Sequence, residues 1–313
     1  MAQVTISFAN QEQVTFEADA NMTILEAGER AGIPLAHDCR SGICRTCAGR
    51  SVRDEELLLC SVRPQEDMAV RVPYDRAQVL RPVFRRAKIT SLALLSPGVW
   101  HLCCRLQFPL TFLPGQYVRL SPPGSAEQRC FSMANTPRSG IYEFYIRALP
   151  SGIISDYLRR AAKAGDIISL RGPSGAFYLH ERPAPKLFIA GGTGLAPILS
   201  MLSALHEQRF DHPLYLAYGV THGQDALGGE RLRDMSKDMD LMVKVAAINH
   251  GDAWESMSGT VVDALSAIPF SEPAECLDVY ICGPMPMVNA AKSWLADRGF
   301  SSDRIYNETF LPS

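Results

Sequence analysis

The chain has 313 residues, enough for two or three domains, and is 47% hydrophobic and 20% charged, as a globular protein is. Its net charge of −2 excludes general nucleic-acid binding, which needs a strongly basic footprint, and no apolar run is long enough to span a bilayer. The opening MAQVTISFANQEQ has neither a basic n-region nor an apolar core, so no signal peptide is expected. Nine cysteines in such a chain favour metal binding or buried thiols over a disulfide framework, and a cytoplasmic protein is expected.

Val4–Phe8 and Val14–Phe16 alternate as two strands of a hairpin would, with Asn10 and Gln11 between them. Asn21 is the expected cap of a helix from Thr23 to Ala31, which Gly32 and Pro34 end. Then comes HDCRSGICRTC, in which Cys39, Cys44 and Cys47 have the C-x4-C-x2-C spacing of a plant-type [2Fe–2S] site. One short loop must wrap an inorganic cluster and offer three thiolates. Ser41 and Gly42 permit the tight backbone, and loop N–H groups can donate to sulfur, which tunes the potential. Zinc is the competing metal, but it usually takes two C-x2-C pairs and only one is present. Three reduced, purely structural thiols are the other alternative.

The order hairpin, helix, cysteine loop resembles the plant-type ferredoxin domain, a β-grasp fold. That resemblance implies Cys60 as the fourth ligand, because LLLCSVRPQEDMAVRVP looks like the segment that carries it. Here only twelve residues, Ala48 to Leu59, separate it from Cys47, where the family has a much longer excursion. Arg45 stands where such loops often carry glycine. The first domain is expected over residues 1–78 and is acidic on balance, with arginines and no lysine, which suits a basic docking face on a partner.

Pro73 and Pro82 bracket a connector. Strand-like runs follow at Arg86–Leu95 and Val99–Phe108, then a Pro114-Gly115 turn into another strand. This pattern predicts a small antiparallel β-barrel over residues 82–182. Arg129-Cys130-Phe131-Ser132 fits R-x-[YF]-S, the flavin motif of the ferredoxin–NADP reductase superfamily, which the segment resembles. Arginine offers a fixed fork of donors to a pyrophosphate, an aromatic ring packs on isoalloxazine, and serine reaches towards flavin N5. Taken alone, RxFS is equally a barrel strand with a surface arginine. Tyr145-Ile146-Arg147 then leads to Gly152-Ile153-Ile154-Ser155. In the family such a turn opens a helix, here expected over Ser155–Ala164, whose N–H groups bind the flavin pyrophosphate. The resemblance implies FAD.

From residue 184 strands and helices alternate, which predicts a doubly wound parallel sheet to residue 313, with ligands at the carboxyl ends of its strands. Two turns fall at such ends. KLFIAGGTGLAPILS is a buried strand, a glycine turn (Gly192, Thr193, Gly194) and a helix that includes Pro197. By itself it fits any strand-to-helix turn. The other is Cys282-Gly283-Pro284-Met285, followed by a helix over Val288–Arg298. Neither is the GxGxxG fingerprint, so a nicotinamide site rests on the resemblance, which puts Cys282 beside the hydride-transferring carbon. A buried small hydrophobe is the alternative for Cys282. Gly219 ends another strand. Thr221 beside it is neutral where some relatives carry an arginine for the 2′-phosphate, which favours NADH over NADPH, although His222 can partly substitute. Phe310 is expected beside the flavin. Glu308 is either a proton relay or a solvated charge, and the solvated charge is the expectation.

The complete chain resembles the reductase components of bacterial Rieske-type ring-hydroxylating dioxygenases. It is thus expected to be a multidomain oxidoreductase of α+β, β and α/β parts. That resemblance implies electron flow from NADH through FAD and a [2Fe–2S] cluster to a terminal oxygenase or a separate ferredoxin, with Ser132 and Cys282 as catalytic residues and no nucleic acid or membrane as partner. Reductases of monooxygenases and of deoxysugar-nucleotide dehydrases share the domain order. A flavin module whose shortened ferredoxin domain serves only for docking, without a cluster, is the alternative of another class.

Overall fold

The computed structural model describes residues 1–43, 45–249 and 256–310. The chain divides into two compact units, Met1–Val83 with Gly172–Ala176, and Phe84–Arg171 with Phe177–Ser313.

In the first unit, β1 (Ala2–Ser7) and β2 (Gln13–Ala18) form the expected antiparallel hairpin. Alternate residues of β1, Val4 and Ile6, are fully buried, as the period of a one-sided sheet requires. Helix α1 spans Ile24–Arg30. Its cap is Thr23 rather than Asn21: the Thr23 hydroxyl accepts from the Glu26 N–H while the Glu26 carboxylate accepts from the Thr23 N–H. This reciprocal box satisfies two end donors at once, which a lone Asn21 two residues further out cannot do. Strands β3 (Ala48–Ser51), β4 (Glu56–Leu58) and β5 (Met68–Arg71) complete a sheet of order β2-β1-β5-β3-β4, with β1 and β5 parallel at its centre.

An antiparallel barrel sheet follows, in the second unit except for Val83 and Gly172–Ser174. Its strands are β6 (Val83–Ser96), β7 (Val99–Leu106), β8 (Tyr117–Ser121), β9 (Arg129–Ser132), β10 (Tyr142–Arg147) and β11 (Ile167–Ser174). The order is β10-β7-β6-β11-β8-β9. The chain just beyond β9 nearly closes the ring onto β10, where the Ala134 N–H donates to the Glu143 carbonyl at 2.8 Å and the Glu143 N–H to Asn135 Oδ1 at 2.9 Å. The helix before β11, α2, spans Ile153–Arg160, starting and ending earlier than the sequence reading placed it.

The same unit continues with six parallel strands: β12 (Lys186–Gly191), β13 (Leu214–His222), β14 (Leu241–Asn249), β15 (Met257–Ser258), β16 (Asp278–Pro284) and β17 (Ile305–Phe310). Their order is β15-β14-β13-β12-β16-β17. Helices α3 (Leu195–Glu207) and α4 (Gly229–Asp238) cover one face, and α5 (Val261–Ser266) and α6 (Met285–Ala296) the other. Each face has its own apolar core, the doubly wound arrangement. Two short bonds tie the barrel to α3: Ser200 Oγ donates to the Asn135 carbonyl and Thr136 Oγ1 to Glu207 Oε1, both at 2.6 Å. Lys186 and Asp278, at the start of adjacent strands, are almost wholly buried and paired at 3.3 Å.

Candidate functional sites

The cysteine loop lies between α1 and β3. Cys39 is exposed, Cys47 and Cys60 are buried, and Cys44 lies outside the described residues. Cys47 immediately precedes β3, and Cys60 follows β4 by one residue. The β3–β4 hairpin therefore returns the chain to its starting point, and the Leu59 N–H donates to the Cys47 carbonyl at 3.1 Å. Twelve residues suffice because a hairpin, unlike a helical excursion, starts and ends at the same place. Arg40, Gly42 and Arg45 all have left-handed backbones, at φ of 55°, 73° and 60°. A Cβ on Gly42 would meet Ser61 Oγ at 2.8 Å, so only glycine lets the loop lie against the residue following Cys60. Arg45 adopts the backbone that suits glycine, and its side chain pairs with Glu56. The Ser41 N–H donates to Cys39 Sγ at 3.3 Å, as expected of a loop that supports thiolates. Thiols on a tight loop with an N–H turned to sulfur are a donor set suited to an iron–sulfur cluster.

On the barrel, Arg129 is half-exposed, lies 3.5 Å from Glu127 and donates to the Gln128 carbonyl; Phe131 is partly exposed and Ser132 buried. Tyr145 and Arg147 lie on the outer face of β10, but Ile146 points into the barrel. Ile154 is likewise buried, and Ser155 Oγ is used locally, accepting from the Leu149 N–H at 3.1 Å and donating to the Arg147 carbonyl at 3.4 Å. These three residues therefore face the site with backbone only. Gly152, at φ 137°, precedes α2, and a Cβ there would meet nothing within 4 Å. Beside this open turn, Ile153 and its neighbours begin a helix whose first N–H groups have no intrahelical partner, a cradle that fits a pyrophosphate.

The residues expected at the nicotinamide meet at the carboxyl ends of β12, β13 and β16. Gly192–Gly194 form a single 3-10 turn before α3, with Thr193 partly exposed. Gly192 has φ 54° with open space where a Cβ would sit, whereas a Cβ on Gly194 would lie 2.3 Å from the Cys282 carbonyl oxygen. The two turns therefore touch backbone to backbone. Gly283 instead lies against the end of the Met287 side chain, and Gly219 lets Val261 at the start of α5 come close. Cys282 is fully buried, and burial, with the Glu308 charge adding to it, pushes its thiol well above the ordinary range. Pro284 and Met285 are exposed at the start of α6, while Pro197 is buried in α3. Thr221 and His222 are exposed at the end of β13. Phe310 packs against the core beneath α3, as Tyr145 does.

Glu308 overturns the expectation of a solvated charge. It pairs with Cys282 across β17 and β16 and is partly buried. Burial pushes its pKa up to about 8, partly offset by Ser132, whose Oγ donates to Glu308 Oε2 at 3.2 Å. One hydrogen bond thus joins the end of the barrel strand β9 to the last strand of the parallel sheet. Sequence reasoning also missed Tyr218. It is fully buried under the glycine turn, donates to the Gly192 carbonyl at 3.1 Å and accepts from the Leu227 N–H at 3.2 Å. Its only signal was its place one residue before Gly219 at a strand end.

Three family models match in chain order: a 2Fe-2S iron-sulfur cluster binding domain over residues 7–65, an oxidoreductase FAD-binding domain over 86–178 and an oxidoreductase NAD-binding domain over 188–293. The electron transfer component of toluate 1,2-dioxygenase from Pseudomonas putida is 35% identical, across 97% of each chain. That of anthranilate 1,2-dioxygenase from Acinetobacter baylyi is 32% identical, across 99% of this chain and 97% of that one. Among solved structures, the cytochrome P450 reductase of Amycolatopsis superposes with a TM-score of 0.76 at 26% identity, across 99% of both chains.

Proposed function

The chain belongs to the family of dioxygenase electron-transfer components, an oxidoreductase with NAD, FAD and [2Fe–2S] domains, and on that premise we propose that it reduces a partner oxygenase acting on an aromatic ring. Bound FAD would supply hydride acceptance from NADH, and a bound cluster would supply one-electron transfer onward. The domains run over residues 1–78, 82–182 and 184–313. Cys39, Cys44, Cys47 and Cys60 hold the cluster. Arg129 and the N–H groups from Gly152 to Ser155 hold the flavin pyrophosphate, while Phe131, Tyr145, Arg147, the Ile146 backbone and Phe310 border the ring system. Gly192, Thr193, Gly194, Pro197, Gly219 and Cys282–Met285 receive the nicotinamide nucleotide. The buried thiol of Cys282 stays protonated and acts by shape, keeping the reacting face dry. Ser132 Oγ holds its proton towards Glu308 Oε2, and below about pH 8 Glu308 is itself neutral, so the pair can hold a proton beside the flavin without a buried charge. Neutral Thr221 offers no cation for a 2′-phosphate, which favours NADH. Reduced nicotinamide as electron source, with cysteines as cluster ligands rather than a disulfide framework, suits the cytoplasm. A separate ferredoxin is the second candidate acceptor.

The observation that carries this reading over a cluster-free docking module is the return of Cys60 to the side of Cys47 through β3 and β4. Visible spectra of purified protein, with iron and sulfide analysis, test it. Flavin bands and a broad cluster shoulder that both bleach on anaerobic addition of NADH are expected. Flavin bands without iron would leave only the docking module, and colourless protein would remove both.

A further inference from the structure

The outer face of the barrel carries a group of donors that the flavin, nicotinamide and cluster sites do not use. His101 and Cys103 lie two residues apart on β7, hence on one face, and Glu143 stands opposite Cys103 on β10. His101 Nε2 is 3.0 Å from Glu143 Oε1 and 3.5 Å from Cys103 Sγ, and the three donor atoms lie within 4.8 Å of one another. All three residues are partly buried.

A proton accounts poorly for this arrangement. One ring N–H points along one line, yet a carboxylate oxygen and a sulfur both converge on the same nitrogen. A purely structural ion pair between His101 and Glu143 uses two of the three groups, while the Cys103 sulfur meets His101 and Ser91. A cation between the three donors satisfies them all. Tetrahedral zinc binds nitrogen and oxygen at about 2.0–2.2 Å and sulfur at about 2.3 Å, which sets neighbouring donors roughly 3.3–3.6 Å apart. The 3.0 and 3.5 Å distances from His101 require shifts of only a few tenths of an ångström, and Cys103 Sγ and Glu143 Oε1, within 4.8 Å of each other, close by up to about 1 Å through side-chain rotation. The donors are also held from behind. Glu143 Oε2 accepts from Arg231 Nη1 at 2.9 Å, and Arg231 Nη2 donates to Ser203 Oγ at 2.6 Å. The Tyr145 ring stacks on the imidazole at a centroid distance of 5.0 Å, fixing its plane. Such outer partners are what orient metal ligands elsewhere.

We propose that His101 Nε2, Cys103 Sγ and Glu143 Oε1 form a three-ligand site for a zinc-like divalent cation, with water in the fourth position. The mixed nitrogen, sulfur and oxygen set selects a borderline metal over magnesium or calcium, which take oxygen. Glu143 would join the cation to Arg231 of α4 through an ion pair that is already in place at 2.9 Å.

The test uses full-length protein loaded with flavin and iron, dialysed against micromolar zinc, with both metals measured by mass spectrometry. About one zinc per chain is expected beyond the iron, with affinity falling at least tenfold in Cys103→Ser, His101→Gln and Glu143→Gln. Cys276→Ser, at an exposed cysteine elsewhere, serves as the control and should bind as the parent does. Flavin and iron contents equal to the parent's show that each variant is folded, and the three ligand variants replace one another if any one fails this check. The proposal is overturned if the parent takes up no zinc, if the ligand variants bind as tightly as the parent, or if uptake rises only as iron is lost.

Discussion

The cluster loop of the first unit and the strand-end turns of the second build sites by opposite means. In the loop, chemistry lies in side chains: thiols at Cys39, Cys47 and Cys60, carried on a backbone forced left-handed at Arg40, Gly42 and Arg45. In the turns it lies in side chains that are missing. Gly194 lets two strand ends touch, and no larger residue fits there without moving backbone. A loop site therefore tolerates a shortened connection so long as its ligands return, whereas a strand-end site tolerates rearrangement of the chain but not the addition of one carbon.

The sharpest way to break this contrast is Cys60→Ser. It is expected to abolish most bound iron and the cluster shoulder while flavin content and its reduction by NADH persist, as absorbance and iron analysis would record. An unchanged iron content would mean that the short hairpin does not supply the fourth ligand. Next comes Gly194→Ala, which places a carbon 2.3 Å from the Cys282 carbonyl. Overpacking of this kind costs about 1–3 kcal/mol, and a one-ångström displacement at the reacting site costs about a hundredfold in rate. Urea unfolding and stopped-flow flavin reduction would report the two, with iron content unaltered.

Glu308→Gln has a smaller effect with a defined pH signature. The folded carboxyl titrates at about 8, above its ordinary 4.5, because burial disfavours its charge. Its contribution to stability is therefore present in full below pH 4.5 and is lost as pH rises through about 8. The glutamine variant should lack that loss, and the step near pH 8 in its rate of flavin reduction should vanish, with about a tenfold to hundredfold lower rate below it. A step that persists in the variant would assign it to another group. The mildest change is Arg45→Gly, which relieves a left-handed backbone but removes an exposed ion pair with Glu56. The two nearly offset, so urea midpoints should shift by less than about 1 kcal/mol in stability, and iron should be retained.

Much of this was legible in the residues. The Cys39, Cys44, Cys47 spacing, the RxFS strand and the two glycine turns are local, because each ligand pocket needs particular residue types within a few positions of each other. The barrel and the doubly wound sheet follow from the local patterning of strands and helices, and the β-grasp from the resemblance to plant-type ferredoxins. What stayed hidden depends on residues distant in the chain. Glu308 reads as a surface acid until β17 lies beside β16 and Ser132 arrives from the barrel, 176 positions away. Tyr218 supports a turn 26 residues before it, and His101 meets Glu143 only because β7 pairs with β10. Side-chain type and spacing fix which chemistry a segment can hold, since ligand geometry is local. Burial, and with it the protonation of Glu308 and Cys282, is set by whatever else packs there, and only the assembled sheets decide that.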